Sequence, residues 1–250
     1  CQLAFINAGE ALLQLTELVD IKHFAEAGYI DHGAKVDIAF VEGSVSTPDE
    51  AQRIKDIRHE SGFVITIGAC ATSGGLQALR NGKDIDDWMR TVYAHPEYIE
   101  VLDTATPIAD HIKVDLELWG CPINTGQIVH VVRQLLFGVA PAIDAESLCL
   151  DCKRQGHVCT LVAKEEPCMG PVTHTGCGAL CPSVGRACYA CYGPADTTNT
   201  QALTCRFEGF GLLPREIIQR FNFITNKAPV FQKAAQAISS SVDDYTHDSS

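Results

Sequence analysis

Eight cysteines spaced Cys149-x2-Cys152-x6-Cys159-x8-Cys168 and Cys177-x3-Cys181-x6-Cys188-x2-Cys191 constrain this chain more than any other feature. A segment with a thiol every few residues, and Gly and Pro between them, has too few apolar side chains for a core of its own. Cross-links or metal must organise it. Three readings compete. Disulfides suit small secreted chains, whereas 250 residues with 46% hydrophobic content can build a core without staples. Four-cysteine zinc sites combine two close pairs, and each set of four here has only one C-x2-C. Two [4Fe–4S] clusters fit best, because intervals of this length with intervening Gly and Pro resemble ferredoxin-type loops. Cys205 is left over and is expected to be a buried free thiol.

The other three of the 12 cysteines, Cys1, Cys70 and Cys121, are scattered through a different kind of sequence. Before about residue 145 the chain alternates strand and helix patterns. Lys35–Val41 is rich in β-branched residues. Phe63–Gly68 is a continuous apolar run, as in a strand buried on both faces. Ile112–Leu118 is strand-like. Helices are expected over Leu3–Val19, Pro48–Ser61, from Gly74 to Asn81, and over Thr125–Phe137, with Thr47 and Thr125 as caps. The fold class is therefore α/β, a parallel doubly wound sheet followed by a small irregular Cys-rich domain. The expected domains are 1–142 and 143–238, with a flexible tail over 239–250.

On that frame Glu42, Cys70 and Cys121 each follow a strand, and Cys1 would follow a strand preceding residue 1. Open α/β sheets bind ligands at this edge. Three thiols in one crevice suit a soft metal or an iron–sulfur cluster, though three unrelated buried thiols would satisfy the same pattern. The local sequences favour the cluster. Gly68-Ala69-Cys70-Ala71-Thr72-Ser73-Gly74-Gly75 and Trp119-Gly120-Cys121-Pro122 surround each thiol with glycine, which lets backbone N–H groups approach a bulky ligand. A net charge of −12 argues against nucleic acid as a partner, and no run of about 18 apolar residues offers a membrane span.

Together these motifs resemble a known family. Cys1-Gln2-Leu3, Val41-Glu42-Gly43, Gly68-x-Cys70-Ala71-Thr72-x-Gly74-Gly75, Gly120-Cys121-Pro122, Gly170-Pro171-Val172-Thr173 and Cys188-x2-Cys191 resemble the small subunit of [NiFe] hydrogenases. The likeness is to the soluble, multimeric, cofactor-reducing kind, such as sulfhydrogenase and NADP-reducing delta subunits. It extends from Cys1 to about Pro194.

The resemblance implies a flavodoxin-like first domain and three [4Fe–4S] clusters. The proximal cluster would use Cys1, Cys70 and Cys121, with a fourth cysteine three residues ahead of Cys1. Cys149, Cys152, Cys159 and Cys168 would hold the distal cluster. Cys177, Cys181, Cys188 and Cys191 would hold the medial one. It also implies a nickel–iron site in a separate large subunit, and partners carrying flavin, NAD(P) and further iron–sulfur centres. The job implied for this chain is electron relay. A Glu stands at the position of Glu42 in the family, where it could serve a proton path. The alternative is a carboxylate bonded to backbone N–H groups.

Rival readings are an F420- or heterodisulfide-linked hydrogenase subunit, the homologous quinone-linked subunit of respiratory complex I, and a structural zinc module. Complex I subunits begin with adjacent cysteines and lack the eight-cysteine segment. Reduced thiols and cubanes fit a cytoplasmic protein. Periplasmic members carry a His where this chain has Cys149, and a three-iron medial cluster with a proline near the place of Cys181. All-thiolate ligation lowers reduction potentials. A potentiometric titration should therefore find clusters at or below the nicotinamide couple, and all clusters well above it would contradict the assignment.

Overall fold

The computed structural model describes residues 1–31 and 33–247, with side chains to residue 241. The chain forms two compact units, Cys1–Ala142 and Ile143–Ser250.

The first unit is built on three strands: β3 (Val36–Val41), β4 (Ser61–Ile67) and β5 (Leu116–Leu118). They pair in parallel with β4 in the centre, in registers that place Val41 beside Thr66 and Ile67 beside Leu118. The apolar run of β4 predicts burial on both faces, and Val64, Ile65, Thr66 and Ile67 are all buried. A separate antiparallel pair, β1 (His23–Phe24) with β2 (Tyr29–Ile30), precedes the sheet. It is too short to leave a sequence pattern.

Helix α3 (Pro48–Glu60) begins as its sequence predicts. Thr47 Oγ1 accepts from the Glu50 N–H (3.2 Å) and the Glu50 carboxylate accepts from the Thr47 N–H (3.0 Å). Its Ile54 packs on Val41, Val45, Val64 and Ile108 to form the core on one face of the sheet.

Three expectations about this unit are corrected. The first helix is two helices, α1 (Gln2–Ile6) and α2 (Glu10–Thr16), because Gly9 takes φ +58 between them. The stretch around Cys70 is not an open loop. Residues Gly68–Ser73 form helix α4, a 3₁₀ turn follows over Gly75–Arg80, and Gly74 at φ +75 separates them. Finally, β5 is shorter than predicted. At Val64 its ladder continues through a side chain: the Asp115 N–H donates to Val64 O (2.9 Å), while the Asp115 carboxylate accepts from the Val64 N–H (2.8 Å).

Two more helices complete the unit, α5 (Ile85–Val92) and α6 (Thr125–Leu136). The cap of α6 is Asn124, whose Oδ1 accepts from the Gly126 N–H (2.8 Å). Thr125, predicted as that cap, instead donates to Ala4 O (2.9 Å) and ties α6 to α1.

The second unit opens with short helices α7 (Leu148–Arg154), α8 (Thr160–Ala163) and α9 (Leu180–Ser183). Three longer ones follow: α10 (Thr200–Gly209), α11 (Pro214–Phe221) and α12 (Pro229–His247). Phe207, Ile217, Phe221 and Phe231 are fully buried among these three, with the Phe221 and Phe231 rings 5.8 Å apart. Residues 239–247, expected as a flexible tail, continue α12, and 248–250 lie outside the described residues. Cys205 on α10 is exposed rather than buried.

Asp115 also pairs with Arg58, whose guanidinium donates to Ser61 O (2.8 Å) and Gly62 O (2.9 Å). Burial pushes the Asp115 carboxyl up, but the Val64 N–H and the Arg58 charge more than offset this and hold it below its ordinary value. Replacing it, Asp115→Ala, should cost about 2–3 kcal/mol, since it strands a mostly buried cation and a strand N–H. The depressed native pKa means the contribution is present above the unfolded-state value near 3.9 and fades as pH falls below it. Urea denaturation should show wild type and variant converging as pH drops through about 4.

Candidate metal centres

All three strands of the parallel sheet end at one edge, and the sequence-predicted residues of the first unit gather there. Glu42 follows β3, Cys70 lies in α4 just after β4, and Cys121 follows β5. The Ala69 N–H donates to Gly120 O at 2.7 Å, so the start of α4 is stitched to the Cys121 loop. Two glycines clear room for thiols. A Cβ on Gly68, at φ +86, would fall 2.4 Å from Cys1 Sγ. A Cβ on Gly75, at φ +58, would fall 2.5 Å from Cys70 Sγ. Burial pushes the Cys70 thiol above its ordinary range, and repulsion from Cys121 adds to that; the Leu76 N–H works against it. Cys70 thus lies near Cys121, and Cys1 lies against Gly68.

Glu42 reaches back to the start of α1. Its Oε2 accepts from the Gln2 N–H at 2.7 Å and lies 2.7 Å from the Cys1 nitrogen. A carboxylate at a helix N-terminus satisfies orphan donors there and fixes where Cys1 sits. Of the two roles considered for Glu42, this is the backbone-binding one.

In the second unit a strand-like segment organises the cysteines. The Leu148 N–H donates to Thr173 O (2.8 Å), placing Cys149 and Cys152 on α7 beside the Gly170–Thr173 turn. A Cβ on Gly170 would lie 3.4 Å from Cys168 Sγ and 3.6 Å from Cys149 Sγ. Burial pushes the Cys149 thiol up to about 11, with repulsion from Cys168, Cys152 and Cys159 adding to it. Burial does the same to Cys152, again to about 11, with Cys168 and Cys159 next in effect. These four thiols therefore share one neighbourhood.

The remaining four are less uniform. Cys181 is raised by burial and by Cys177, against the pull of Arg186. Cys188 is buried and raised well above the thiol range, with the Ala190 N–H donating to its sulfur (3.4 Å) and Cys191 nearby. The two sets touch, because the Cys188 N–H donates to Cys168 Sγ at 3.2 Å.

Among the described residues no group of three or more His, Cys, Asp or Glu is spaced to hold a single metal ion. The donors are all sulfur, soft and negatively charged once ionised, and crowded thiolates need a positive centre to stabilise them. With glycine cradles and N–H groups aimed at sulfur, these residues fit iron–sulfur clusters.

Sequence reasoning missed two kinds of residue here. Ala179 and Ala190 take φ +55 and +61, and turn the backbone between cysteines of the second set. Alanine carries no signal for that left-handed conformation, which costs roughly 1–2 kcal/mol. Thr225 donates to Ala190 O (3.0 Å) and braces the turn from outside the Cys-rich segment.

An α/β domain that presents thiols at its sheet edge, followed by a cysteine-organised unit, has the donor set of an iron–sulfur protein. Its first unit is matched over residues 1–135 by the family described as NADH ubiquinone oxidoreductase, 20 Kd subunit, and the chain belongs to that family. Relatives that span both units place it in the hydrogenase small-subunit branch, as one subunit of an oxidoreductase. Sulfhydrogenase 2 subunit delta of Pyrococcus furiosus is 34% identical over 222 residues, 88% of this chain and 91% of that one. An F420-non-reducing hydrogenase subunit of Methanothermobacter marburgensis is 28% identical over 237 residues, 80% of this chain and 77% of that one. Among solved structures, an NAD+-reducing [NiFe]-hydrogenase in its H2-reduced state matches with TM-score 0.52 and 25% identity, over 57% of this chain and 87% of that chain.

The Gly75 cradle can be tested without any cofactor. Gly82 has a similar φ of +78 but open space around its missing Cβ. Gly82→Ala should cost only the backbone strain of about 1 kcal/mol, and Gly75→Ala should cost at least about 1 kcal/mol more through the clash with Cys70. Equal losses in chemical denaturation would show that the thiol does not pack against Gly75.

Proposed function

We propose that this chain relays electrons within a multi-subunit hydrogenase, between a nickel–iron large subunit and a flavin-bearing partner linked to NAD(P) and carrying further iron–sulfur centres. Three [4Fe–4S] clusters would supply one-electron transfer. The chain's own residues hold, space and tune them. Cys1, Cys70 and Cys121 serve the proximal cluster in the domain spanning 1–142. Cys149, Cys152, Cys159 and Cys168 serve the distal one, and Cys177, Cys181, Cys188 and Cys191 the medial one, in 143–238. Glu42 holds the Cys1 end of the proximal site, and a proton path through it would run beside that cluster. The proposed compartment is the cytoplasm, where thiols stay reduced.

The observation that carries this reading is the gathering of thiols beside glycines, with a Cβ at Gly68 or Gly75 colliding with sulfur. Backbone N–H groups of Cys188 and Ala190 aimed at sulfur add to it. A fold that needed only buried thiols would have no use for left-handed alanines between them. The names of the relatives leave two acceptor classes, nicotinamide and a different acceptor, coenzyme F420 among them. Hydrogen-dependent reduction of NAD(P)+ by the purified complex would favour the first, and its absence with viologen reduction intact would favour the second.

Iron and acid-labile sulfide should each come to about twelve per chain in a preparation of this subunit alone, as three cubanes require. About eight of each would remove the proximal assignment. Zinc without sulfide would overturn the relay.

A further inference from the structure

Thr173 ends the Gly170-Pro171-Val172-Thr173 motif, and nothing above gives its side chain a purpose. It is 1% exposed, and its backbone is pinned on two sides: Leu148 N–H donates to its carbonyl, and its neighbours pair with residues 193–195. The side chain therefore has little freedom to move away. Its hydroxyl donates to Met169 O at 2.6 Å and lies 3.7 Å from Cys188 Sγ.

With Cys188 protonated, the thiol donates and the Thr173 oxygen accepts. A thiolate bound to iron has no proton to give, so that arrangement cannot persist. The buried hydroxyl then has two acceptors, the Met169 carbonyl and an anionic sulfur. Hydrogen bonds to a charged acceptor are about twice as strong as neutral ones, and the low dielectric of a buried site strengthens them. Building on the cluster assignment above, we propose that the Thr173 hydroxyl turns to donate to the Cys188 thiolate and sets the reduction potential of the cluster that Cys188 holds. Donors to cluster sulfurs favour the more negative, reduced state and so raise the potential. Thr173 is thus a positioning residue acting through Cys188, alongside the fixed Ala190 N–H on the same sulfur.

The test compares Thr173→Val, which keeps the shape and removes the donor, with Thr173→Ser, which keeps the donor. Both are made in the holoenzyme. Iron per chain and the midpoint of each cluster are read by redox titration followed with electron paramagnetic resonance. The expected result is full iron in both variants, one cluster shifted to lower potential in Thr173→Val, the other clusters unmoved, and the wild-type midpoint in Thr173→Ser. Full iron with every midpoint unchanged in Thr173→Val would overturn the proposal and leave Thr173 as a brace on Met169. If valine prevents loading, the smaller Thr173→Ala is titrated in its place, with the same two outcomes. Wild-type enzyme found to lack a cluster in this unit would overturn the cluster assignment itself, and the iron count separates that failure from the other.

Discussion

Closely set thiols whose ionised form is disfavoured, first by burial and then by one another, are the constraint on which the second unit depends. A thiol prefers to ionise in water, beside a cation or on a metal. Here Cys149 and Cys152 are pushed up to about 11 by burial and by their own neighbours. A fold gains nothing from packing such groups together unless something positive joins them. The cost of holding them is visible in the backbone, which adopts left-handed conformations at Ala179 and Ala190 between ligand positions. Strain of that kind persists only where surrounding structure over-determines it. The turn between α11 and α12 provides this, through the Thr225 bond to Ala190 O and the Tyr189–Phe223 ring contact at 6.1 Å.

The two units solve the same problem by different means. In the first, a parallel sheet brings distant thiols to one edge because every strand ends there. The precision comes from regular hydrogen bonding, and two glycines only have to clear space. In the second there is no sheet to lean on, and the thiols are close in sequence. Position comes from short helices, from turns, and from one strand-like segment, residues 173–175, that bonds to residues on both sides. Cys168 and Cys188 are buried together with Leu148, Met169, Val172 and Tyr192, while the aromatic core sits in α10 to α12.

Much of this was legible in the sequence, and the reasons are physical. The apolar run of β4 and the Thr47–Glu50 pairing are local signals tied to local structure, so both elements stand where they were expected. Cysteine spacing is a chemical signal and survives the irregular backbone around it. What could not be read depends on contacts between distant residues. Thr125 looks like a helix cap, yet Asn124 takes that role because Ala4 O competes for the threonine hydroxyl. β5 starts late, after Asp115, because the Asp115 side chain occupies the place of a ladder partner. Cys205 resembles a core thiol in composition but falls on the outer face of α10.

The contact between the two cysteine sets of the second unit follows from the same economy. Cys168 belongs to one set and Cys188 to the other, yet the Cys188 N–H donates to Cys168 Sγ and the Met169 N–H donates back to Cys188 O at 3.1 Å. These paired bonds fix the two ligand loops against each other as adjacent strands would be fixed. A change at one site is then felt at the other through two short hydrogen bonds rather than through solvent. For the electron relay proposed above, such rigidity suits both distance and potential, since neither should vary between turnovers. The same few residues, 168–173 and 188–190, supply the proposed ligands, the donors to sulfur and the bonds between the sets. Gly170 lies beside the sulfurs of Cys168 and Cys149, and Thr173 fills a buried place beside that of Cys188.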